Sequence, residues 1–259
     1  AWFLFAEASR IMYADRDRYV GDPRFTSVPV DGLLAADYVR QRAALFGPRA
    51  AIDGYPAGLP AGAAAPGVDT TAEVSGTTHF VVVDREGNAA SVTSTIESYF
   101  GSGRMVDGFF LNNQLTDFAW DLEQGRPGMA NAIAPGKRPR SSMTPAILLD
   151  AEGRLAGAIG SPGGSSIPAY VGKALVGALY WDLPVGEAIA LPNLVARGQR
   201  FDGEASRFAP DILDALRRRG IEVRAGAGED SGLHGILQRD GRWQWGADPR
   251  REGTAASSP

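Results

Sequence analysis

The chain changes character at a stretch of glycine and proline. Residues 54–67 read GYPAGLPAGAAAPG, which holds too much of these two residue types for a helix or a strand. The stretch also carries no charge that would mark a solubilising tail. We interpret it as a flexible linker, so the folded elements have to be sought on either side of it.

Directly after this stretch the hydrophobic pattern alternates with a period of two. Residues 78–83 and 90–96 both show it, and the polar residues 84–88 between them suit a turn. The pattern predicts a β-hairpin. Further strands are predicted near residues 109–111, 146–149, 155–159, 235–238 and 242–245.

Helical patterns lie before the linker and in the second half of the chain. The predicted helices run from about residue 2 to 16, from a cap at 31 to 47, from the loop 160–166 to about 181, and from 210 to 219. The last one closes on Arg217-Arg218-Arg219-Gly220, which we interpret as a helix C-terminus rather than a binding patch. Hairpins flanked by long helices predict an α+β layered fold.

Composition excludes several classes of protein and of site. With 44% hydrophobic and 22% charged residues among 259, the chain is neither disordered nor collagen-like. Twenty-six basic residues stand against 30 acidic ones, and no basic run interleaves with aromatic residues, so nucleic acid and anionic membranes are poor partners. Cysteine is absent and only His79 and His234 are present, so we expect no disulfide, no metal site and no cofactor held by such residues.

The first residues resemble the interior of a longer protein sequence. The apolar run of residues 1–6 is far too short to cross a bilayer and has no basic leader, so no membrane span is predicted there. The first residue is Ala1, within a predicted helix, and not methionine. We therefore interpret the chain as the C-terminal portion of something longer.

Thr77 stands where the linker meets the first predicted strand. A threonine hydroxyl needs a base to act as a nucleophile, and the α-amino group of the same residue can serve, with a pKa of about 8. That chemistry requires a cut between Gly76 and Thr77. From the residues alone, the simpler interpretation is that β-branched Thr77 and Thr78 begin a strand.

Gly163 and Gly164 lie between a predicted strand and a predicted helix. Backbone N–H groups at such a position suit an oxyanion or a phosphate. The loop lacks the lysine of a P-loop and the third glycine of a dinucleotide fingerprint. Two other segments, residues 112–117 and 138–145, are rich in polar side chains that are candidates for a binding site. Turns and helix caps are an alternative explanation for such segments.

Four segments together carry a family resemblance. In order and spacing, the chain resembles the small subunit of γ-glutamyltranspeptidases, which are N-terminal-nucleophile hydrolases, in TTHFVVVDREGNAASVTSTIESYFGSG, LNNQLTDF, PGKRPRSSMTPAI and GSPGGSS. The upstream AEASRIMYADRDRYVGDPRF is similar to the end of that family's large subunit. The resemblance implies an αββα sandwich, present in part, with residues 1–76 a remnant of the large subunit and 77–259 the small catalytic subunit.

The resemblance implies roles for particular residues in catalysis. Thr77 matches the nucleophile that self-cleavage at Gly76–Thr77 releases, and Thr95 matches the threonine whose hydroxyl orients it. Gly163 and Gly164 match the glycines of the oxyanion hole, whose N–H groups stabilise the tetrahedral charge.

Other matching residues are implied to bind the substrate. Asp117, helped by Gln114, matches the partner of the α-ammonium group, and Ser141 and Ser142 match the hydroxyls that bind the α-carboxylate. Glu97 stands where many members carry asparagine, which puts a second carboxylate near the ammonium.

Two further departures affect the expected site. The segment between Asp117 and Ser141, with Trp120 and residues 125–128, is shorter than the family's lid loop and lacks its tyrosine, so we expect an open pocket. The earlier part of the large subunit is absent, together with the arginine that binds the substrate carboxylate.

The implied activity is hydrolysis or transfer of γ-glutamyl groups, with glutathione as the leading donor and water, amino acids or dipeptides as acceptors. The expected protein partner is the remainder of the large subunit. A glutaryl β-lactam acylase of the same superfamily and a non-catalytic protein that binds a ligand at Gly163-Gly164 stay open as alternatives. Family members are commonly periplasmic or secreted, which we expect here, and a cytoplasmic location stays open.

Overall fold

The computed structural model describes residues 1–64, 67–69, 71, 73, 76–119, 128–226 and 231–257. The helices are α1 (Trp2–Tyr19), α2 (Val30–Leu34), α3 (Ala36–Ala43), α4 (Ile167–Leu179), α5 (Val185–Ala190) and α6 (Pro210–Arg218). The strands are β1 (Thr77–Val83), β2 (Ala89–Thr95), β3 (Met105–Val106), β4 (Phe109–Phe110), β5 (Ala146–Leu149), β6 (Leu155–Gly160), β7 (Leu194–Arg197), β8 (Arg200–Gly203), β9 (Arg224–Ala225), β10 (His234–Arg239) and β11 (Arg242–Ala247).

The chain divides into two compact units, each made of three segments. The first unit comprises residues 1–72, 115–141 and 194–226, and the second comprises residues 73–114, 142–193 and 227–259. The predicted division at residue 76 concerns a covalent cut, which these units do not test. That division stays a prediction.

In the first unit, α1 packs against β7 and α6 around an apolar core. Strands β7 and β8 are antiparallel, and β9 joins β8 in parallel. The buried core residues are Phe3, Ala6, Leu194, Ala196, Phe201, Phe208, Leu216, Ile221 and Val223. The helix α6 ends at Arg218 before Gly220, which has a φ of 88°, so the arginines do close a helix as predicted.

The prediction of one continuous helix over residues 31–47 was wrong. The region forms two short helices, α2 and α3, because Ala35 between them has extended backbone with φ of −60° and ψ of 130°. A Cβ atom at Gly32 in α2 would lie 2.2 Å from the carbonyl oxygen of Ala61, so this region is shaped by close packing on a distant segment. Such a break leaves no stop signal in the sequence.

The glycine and proline stretch forms no helix or strand at residues 54–64, as its composition predicts. It is nevertheless held by buried carboxylates of α1. The Oε2 atom of Glu7 accepts a hydrogen bond from the Tyr55 hydroxyl, and Oδ1 of Asp15 accepts one from the Gly58 N–H at 2.8 Å. Glu7 is in turn paired with buried Arg10 at 2.7 Å. These contacts anchor the first part of the stretch, contrary to the free linker that composition suggested.

The second unit contains the predicted hairpin. Strands β1 and β2 pair antiparallel from Thr77–Thr95 to Val83–Ala89. A four-stranded antiparallel sheet in the order β11-β10-β6-β5 packs against the hairpin. The prediction of both hairpin strands and of the four strands of this sheet is confirmed.

The hairpin and two helices cover opposite faces of the four-stranded sheet. A Cβ atom at Gly160, in β6, would lie 2.3 Å from the ring of His79 in the hairpin. A Cβ atom at Gly246, in β11, would lie 2.9 Å from Gly186 of α5. The register places these two glycines on opposite faces, because Gly160 pairs with His234 and Gly246 with the next residue, Gly235. The hairpin, the sheet and the α4–α5 layer therefore form three of the four layers of an αββα sandwich.

Within the described residues, no helix combines the length and the apolar character that crossing a bilayer requires.

His79 is a buried histidine between the hairpin and the sheet. It is 3% exposed, and its Nδ1 atom lies 2.8 Å from the Thr93 hydroxyl. Burial, with a smaller contribution from His234, lowers the pKa of His79 from 6.5 to about 4. The folded chain therefore keeps His79 neutral at pH 5, whereas the unfolded chain protonates it.

This difference predicts a pH dependence of stability. Between pH 6.5 and pH 4 the unfolded state binds a proton at His79 that the folded state does not, so the free energy of unfolding should fall as the pH falls through this window. The full effect corresponds to about 3 kcal/mol. Urea unfolding of the wild type and of His79→Asn at several pH values measures it as the difference between their slopes.

His234→Asn is the control, because burial, the larger cause, persists in that variant. Its unfolding should keep most of the wild-type slope between pH 6.5 and pH 4. Identical slopes for the wild type and His79→Asn would contradict the neutral, buried state of His79.

Candidate active site

Thr77 and Thr95 meet at the open end of the hairpin. They face each other in the strand register, and the Thr77 hydroxyl donates a hydrogen bond to Oγ1 of Thr95 at 3.0 Å. The same Thr95 oxygen accepts a hydrogen bond from the N–H of Glu97 at 2.9 Å. The two threonines that the resemblance assigns to catalysis are thus in direct contact, with the nucleophile position 8% exposed.

Glu97 lies in the turn that follows β2. Its φ of 77° is uncommon for a residue with a side chain and costs roughly 1 kcal/mol or more. The carboxylate is buried and its Oε2 atom accepts hydrogen bonds from the Ser98 hydroxyl, at 2.8 Å, and from Nδ2 of Asn113. The turn therefore holds this carboxylate in a fixed position two residues from Thr95.

Asn113 has a structural part in this turn that the sequence did not single out. Its Oδ1 atom accepts a hydrogen bond from the N–H of Ser98 at 3.0 Å, and its own N–H donates to the carbonyl of Ile96 at 3.2 Å. The polar density of residues 112–117 was the available signal. It could not indicate which amide would tie the two loops together.

Gly76 lies tightly against the same turn. A Cβ atom at this position would be 2.2 Å from the carbonyl oxygen of Glu97 and 2.5 Å from the carbonyl carbon of Ser98. Gly76 therefore lies against this turn with no room for a side chain, so this glycine provides close approach where the sequence suggested only flexibility.

The loop after β6 presents the glycine pair. Gly163 and Gly164 are buried and have φ values of 136° and 51°. A Cβ atom at Gly163 would lie 2.6 Å from the ring of Tyr170 in α4. A short 3-10 helix, Gly164–Ser166, then leads into the 13 residues of α4. Glycine backbone at the start of such a helix can direct N–H groups at a negatively charged oxygen.

Residues from the C-terminal part of the chain support this loop. The N–H of Gly232 donates to Oγ of Ser161 at 3.3 Å, and the Ser161 hydroxyl donates to the carbonyl of Pro162 at 2.6 Å. Buried Asp248 accepts hydrogen bonds from the Ser231 hydroxyl and from the N–H of Leu233, which flank Gly232. Sequence analysis did not predict this support, because its partners are far apart along the chain.

Ser142 and Gln114 lie in the second unit with the residues above. Ser142 is 2% exposed, and its N–H donates to Oε2 of Glu73 at 2.7 Å. Gln114 is half-buried and begins the 3-10 helix Gln114–Asp117, with its N–H donating to Oδ1 of Asn112 at 3.0 Å.

Asp117 and Ser141 belong to the first unit. Asp117 is 3% exposed, and its carbonyl oxygen accepts a hydrogen bond from Nδ2 of Asn131 at 2.7 Å. The Nδ2 group of Asn131 also donates a hydrogen bond to Oδ2 of Asp69, and its Oδ1 atom accepts one from the N–H of Arg140. Ser141 is exposed. The predicted open pocket depends on Trp120 and its neighbours, and residues 120–127 lie outside the described part of the chain.

Comparison with known proteins gives a consistent result over the whole chain. A sequence model of the γ-glutamyltranspeptidase family matches residues 1–258. The chain is 34% identical over 266 residues to a glutathione hydrolase proenzyme of Bacillus subtilis, covering 97% of this chain and 44% of that protein. It is 38% identical over 271 residues to a protein of the same name from Pseudomonas aeruginosa, covering 96% and 45%. The chain thus spans less than half the length of these curated relatives.

Solved structures share the fold. The cephalosporin acylase from Bacillus halodurans aligns with a TM-score of 0.82 at 25% identity, covering all of this chain and 45% of the other. The γ-glutamyltranspeptidase from Pseudomonas nitroreducens complexed with L-DON aligns with a TM-score of 0.62 at 29% identity, covering 70% of this chain and all of the other. These neighbours confirm the N-terminal-nucleophile hydrolase fold, of which the chain holds a part.

The match of the family model to nearly every residue agrees with the paired threonines, the buried glycine loop and the layered sheets. The chain belongs to the γ-glutamyltranspeptidase family.

Proposed function

We propose that the protein carrying this chain hydrolyses and transfers γ-glutamyl groups through Thr77 after cutting itself between Gly76 and Thr77. The observation that carries the proposal is the 3.0 Å hydrogen bond between the hydroxyls of Thr77 and Thr95, directly after the closely packed Gly76. This hydrogen bond holds the Thr77 hydroxyl in one orientation, which supports a role as nucleophile, and the preceding residue provides the carbonyl for the proposed cut.

In the proposed maturation, Oγ1 of Thr77 attacks the carbonyl carbon of Gly76 and the peptide nitrogen leaves with a proton as the α-amino group of Thr77. The resulting ester between Gly76 and Thr77 is hydrolysed by water. This restores the hydroxyl and leaves a carboxylate on Gly76.

In the proposed turnover, the free amine of Thr77 takes the hydroxyl proton as Oγ1 attacks the γ-carbonyl of the substrate. The N–H groups of Gly163 and Gly164 stabilise the oxyanion, an effect worth about 3 kcal/mol for one donor. The amine then passes the proton to the leaving nitrogen. Water or the amino group of an acceptor attacks the ester and releases the γ-glutamyl group.

The glutamyl group has a positive and a negative end, and the residues proposed to bind it are of matching kinds. Asp117, Gln114 and Glu97 provide acceptors for the α-ammonium, and Ser141 and Ser142 provide donors for the α-carboxylate. Glutathione is the proposed leading donor. The remainder of the large subunit is the proposed partner, and a periplasmic or secreted location is proposed by analogy with bacterial relatives.

A glutaryl acylase is the second candidate, because one of the structural neighbours is a cephalosporin acylase. A glutaryl group keeps the carboxylate but lacks the α-ammonium. The buried carboxylates of Asp117 and Glu97 favour a substrate that carries the positive charge.

The first test is self-cleavage of the complete gene product. Incubation of the purified precursor, followed by N-terminal sequencing of the fragments, should show a new chain that starts at Thr77. Thr77→Ala should remain intact and inactive, because the same oxygen serves cleavage and turnover. An intact wild-type chain that still hydrolyses a γ-glutamyl anilide would rule out the proposed role of Thr77.

The second test concerns Thr95. Thr95→Val removes the oxygen that accepts from Thr77 and from the Glu97 N–H, so cleavage and kcat should each fall by roughly ten- to a hundredfold. Thr95→Ser keeps the oxygen and should retain most of both rates. Ser94→Ala, exposed on the other face of β2, is the matched control and should change neither. Equal rates for Thr95→Val and the control would contradict an orienting role.

The third test separates the two donor classes. Asp117→Asn keeps the shape but removes a charge, so kcat/KM for a γ-glutamyl donor should fall roughly ten- to a hundredfold, with a much smaller loss for a glutaryl donor. Asp211→Asn, exposed on α6 of the same unit, is the control. Equal losses on both donors would indicate that Asp117 has a structural role.

A further inference from the structure

Glu73 lies four residues before Thr77, in the part of the chain that the proposed cut would separate from the strand β1. It is held at both its backbone and its side chain by residues of the second unit. The Glu73 N–H donates to the Ser165 hydroxyl at 2.8 Å, and its carbonyl accepts from the Ser165 N–H at 3.4 Å. Its carboxylate accepts from the N–H of Ser142 at 2.7 Å.

In the proposed function, a substrate glutamyl group lies between the two features that Glu73 contacts. Ser165 directly follows Gly164 of the proposed oxyanion hole. Ser142, almost fully buried, is one of the two residues proposed to bind the α-carboxylate. A glutamyl residue of the chain itself therefore joins the glycine loop to the carboxylate-binding serine, with its own carboxylate at the serine end.

We propose that Glu73 occupies the γ-glutamyl site of the uncut chain and excludes substrate until Thr77 is released. The proposal rests on the proposed function, because it assigns the occupant of the same site. The substrate class that it excludes is any molecule with a glutamyl α-carboxylate.

Covalent attachment makes this occupant effective before the cut. A carboxylate tethered a few residues from its site has a local concentration in the millimolar range, which a free ligand has to match. Cleavage between Gly76 and Thr77 frees the end of the segment that is attached to β1. Substrate then competes with a segment attached only through its earlier residues.

The experiment measures binding of L-glutamate to the uncut protein. In the complete gene product, Thr77→Ala prevents the cut, and isothermal titration gives the Kd for L-glutamate. The double variant Thr77→Ala/Glu73→Ala should bind L-glutamate at least tenfold more tightly. Thr77→Ala/Glu86→Ala is the matched control, since Glu86 is exposed in the β1–β2 turn, and its Kd should equal that of Thr77→Ala.

A second variant keeps the test decisive if the alanine variant does not fold. Glu73→Gln retains an oxygen that can accept from the Ser142 N–H but loses the charge, so Thr77→Ala/Glu73→Gln should show a smaller gain, about threefold. No gain in either foldable double variant would overturn the proposal.

The cleaved wild-type enzyme distinguishes this failure from failure of the proposed function. It should hydrolyse a γ-glutamyl anilide and be inhibited competitively by L-glutamate. If it does so while replacement of Glu73 leaves the Kd unchanged, only the role of Glu73 is wrong. If it neither turns over the anilide nor binds L-glutamate, the proposed function is wrong as well.

Discussion

The antiparallel pairing of β1 with β2 is the interaction on which the candidate active site depends. It places Thr77 opposite Thr95, and it brings the turn at Glu97 up to Gly76. A slip of one residue would direct Thr95 to the other face of the hairpin, because side chains alternate along a strand. His79 supports this register through its 2.8 Å contact with the hydroxyl of Thr93, its partner on β2, and it also packs the hairpin against Gly160 of the adjacent sheet.

Glycines let backbone segments approach closely around this hairpin. Gly76 lies on the Glu97 turn, Gly160 leaves room for the His79 ring, and Gly163 leaves room for Tyr170. A Cβ atom at any of these three glycines would lie within 3 Å of another atom, so a residue with a side chain would not fit there. Close packing of this kind allows the candidate site to be assembled from loops, among them the turn that holds the buried Glu97 at a positive φ.

The long and strongly patterned elements could be predicted. The helices α1, α4 and α6 and the strands β1, β2, β5, β6, β10 and β11 all fall where periodicity indicated them. The short helix α5 and the strands β3 and β7 to β9 were missed, since two to six residues carry too little periodic signal. Among the residues of the candidate site and its surroundings, Thr77, Thr95 and the glycine pair came from the resemblance. Asn113, Asp248 and Glu73 did not, because each acts through a contact with a residue distant in sequence.

By itself, the sequence determined the family, the strand and helix periods and the positions of the candidate catalytic residues, because these depend on local order and on residue type. Only the tertiary structure decided which groups touch. It placed the Thr77 hydroxyl on Thr95, anchored the glycine and proline stretch on Glu7 and Asp15, and put the Glu73 carboxylate on Ser142. Such contacts join residues from separate segments, and they form only when burial and close packing bring those segments together.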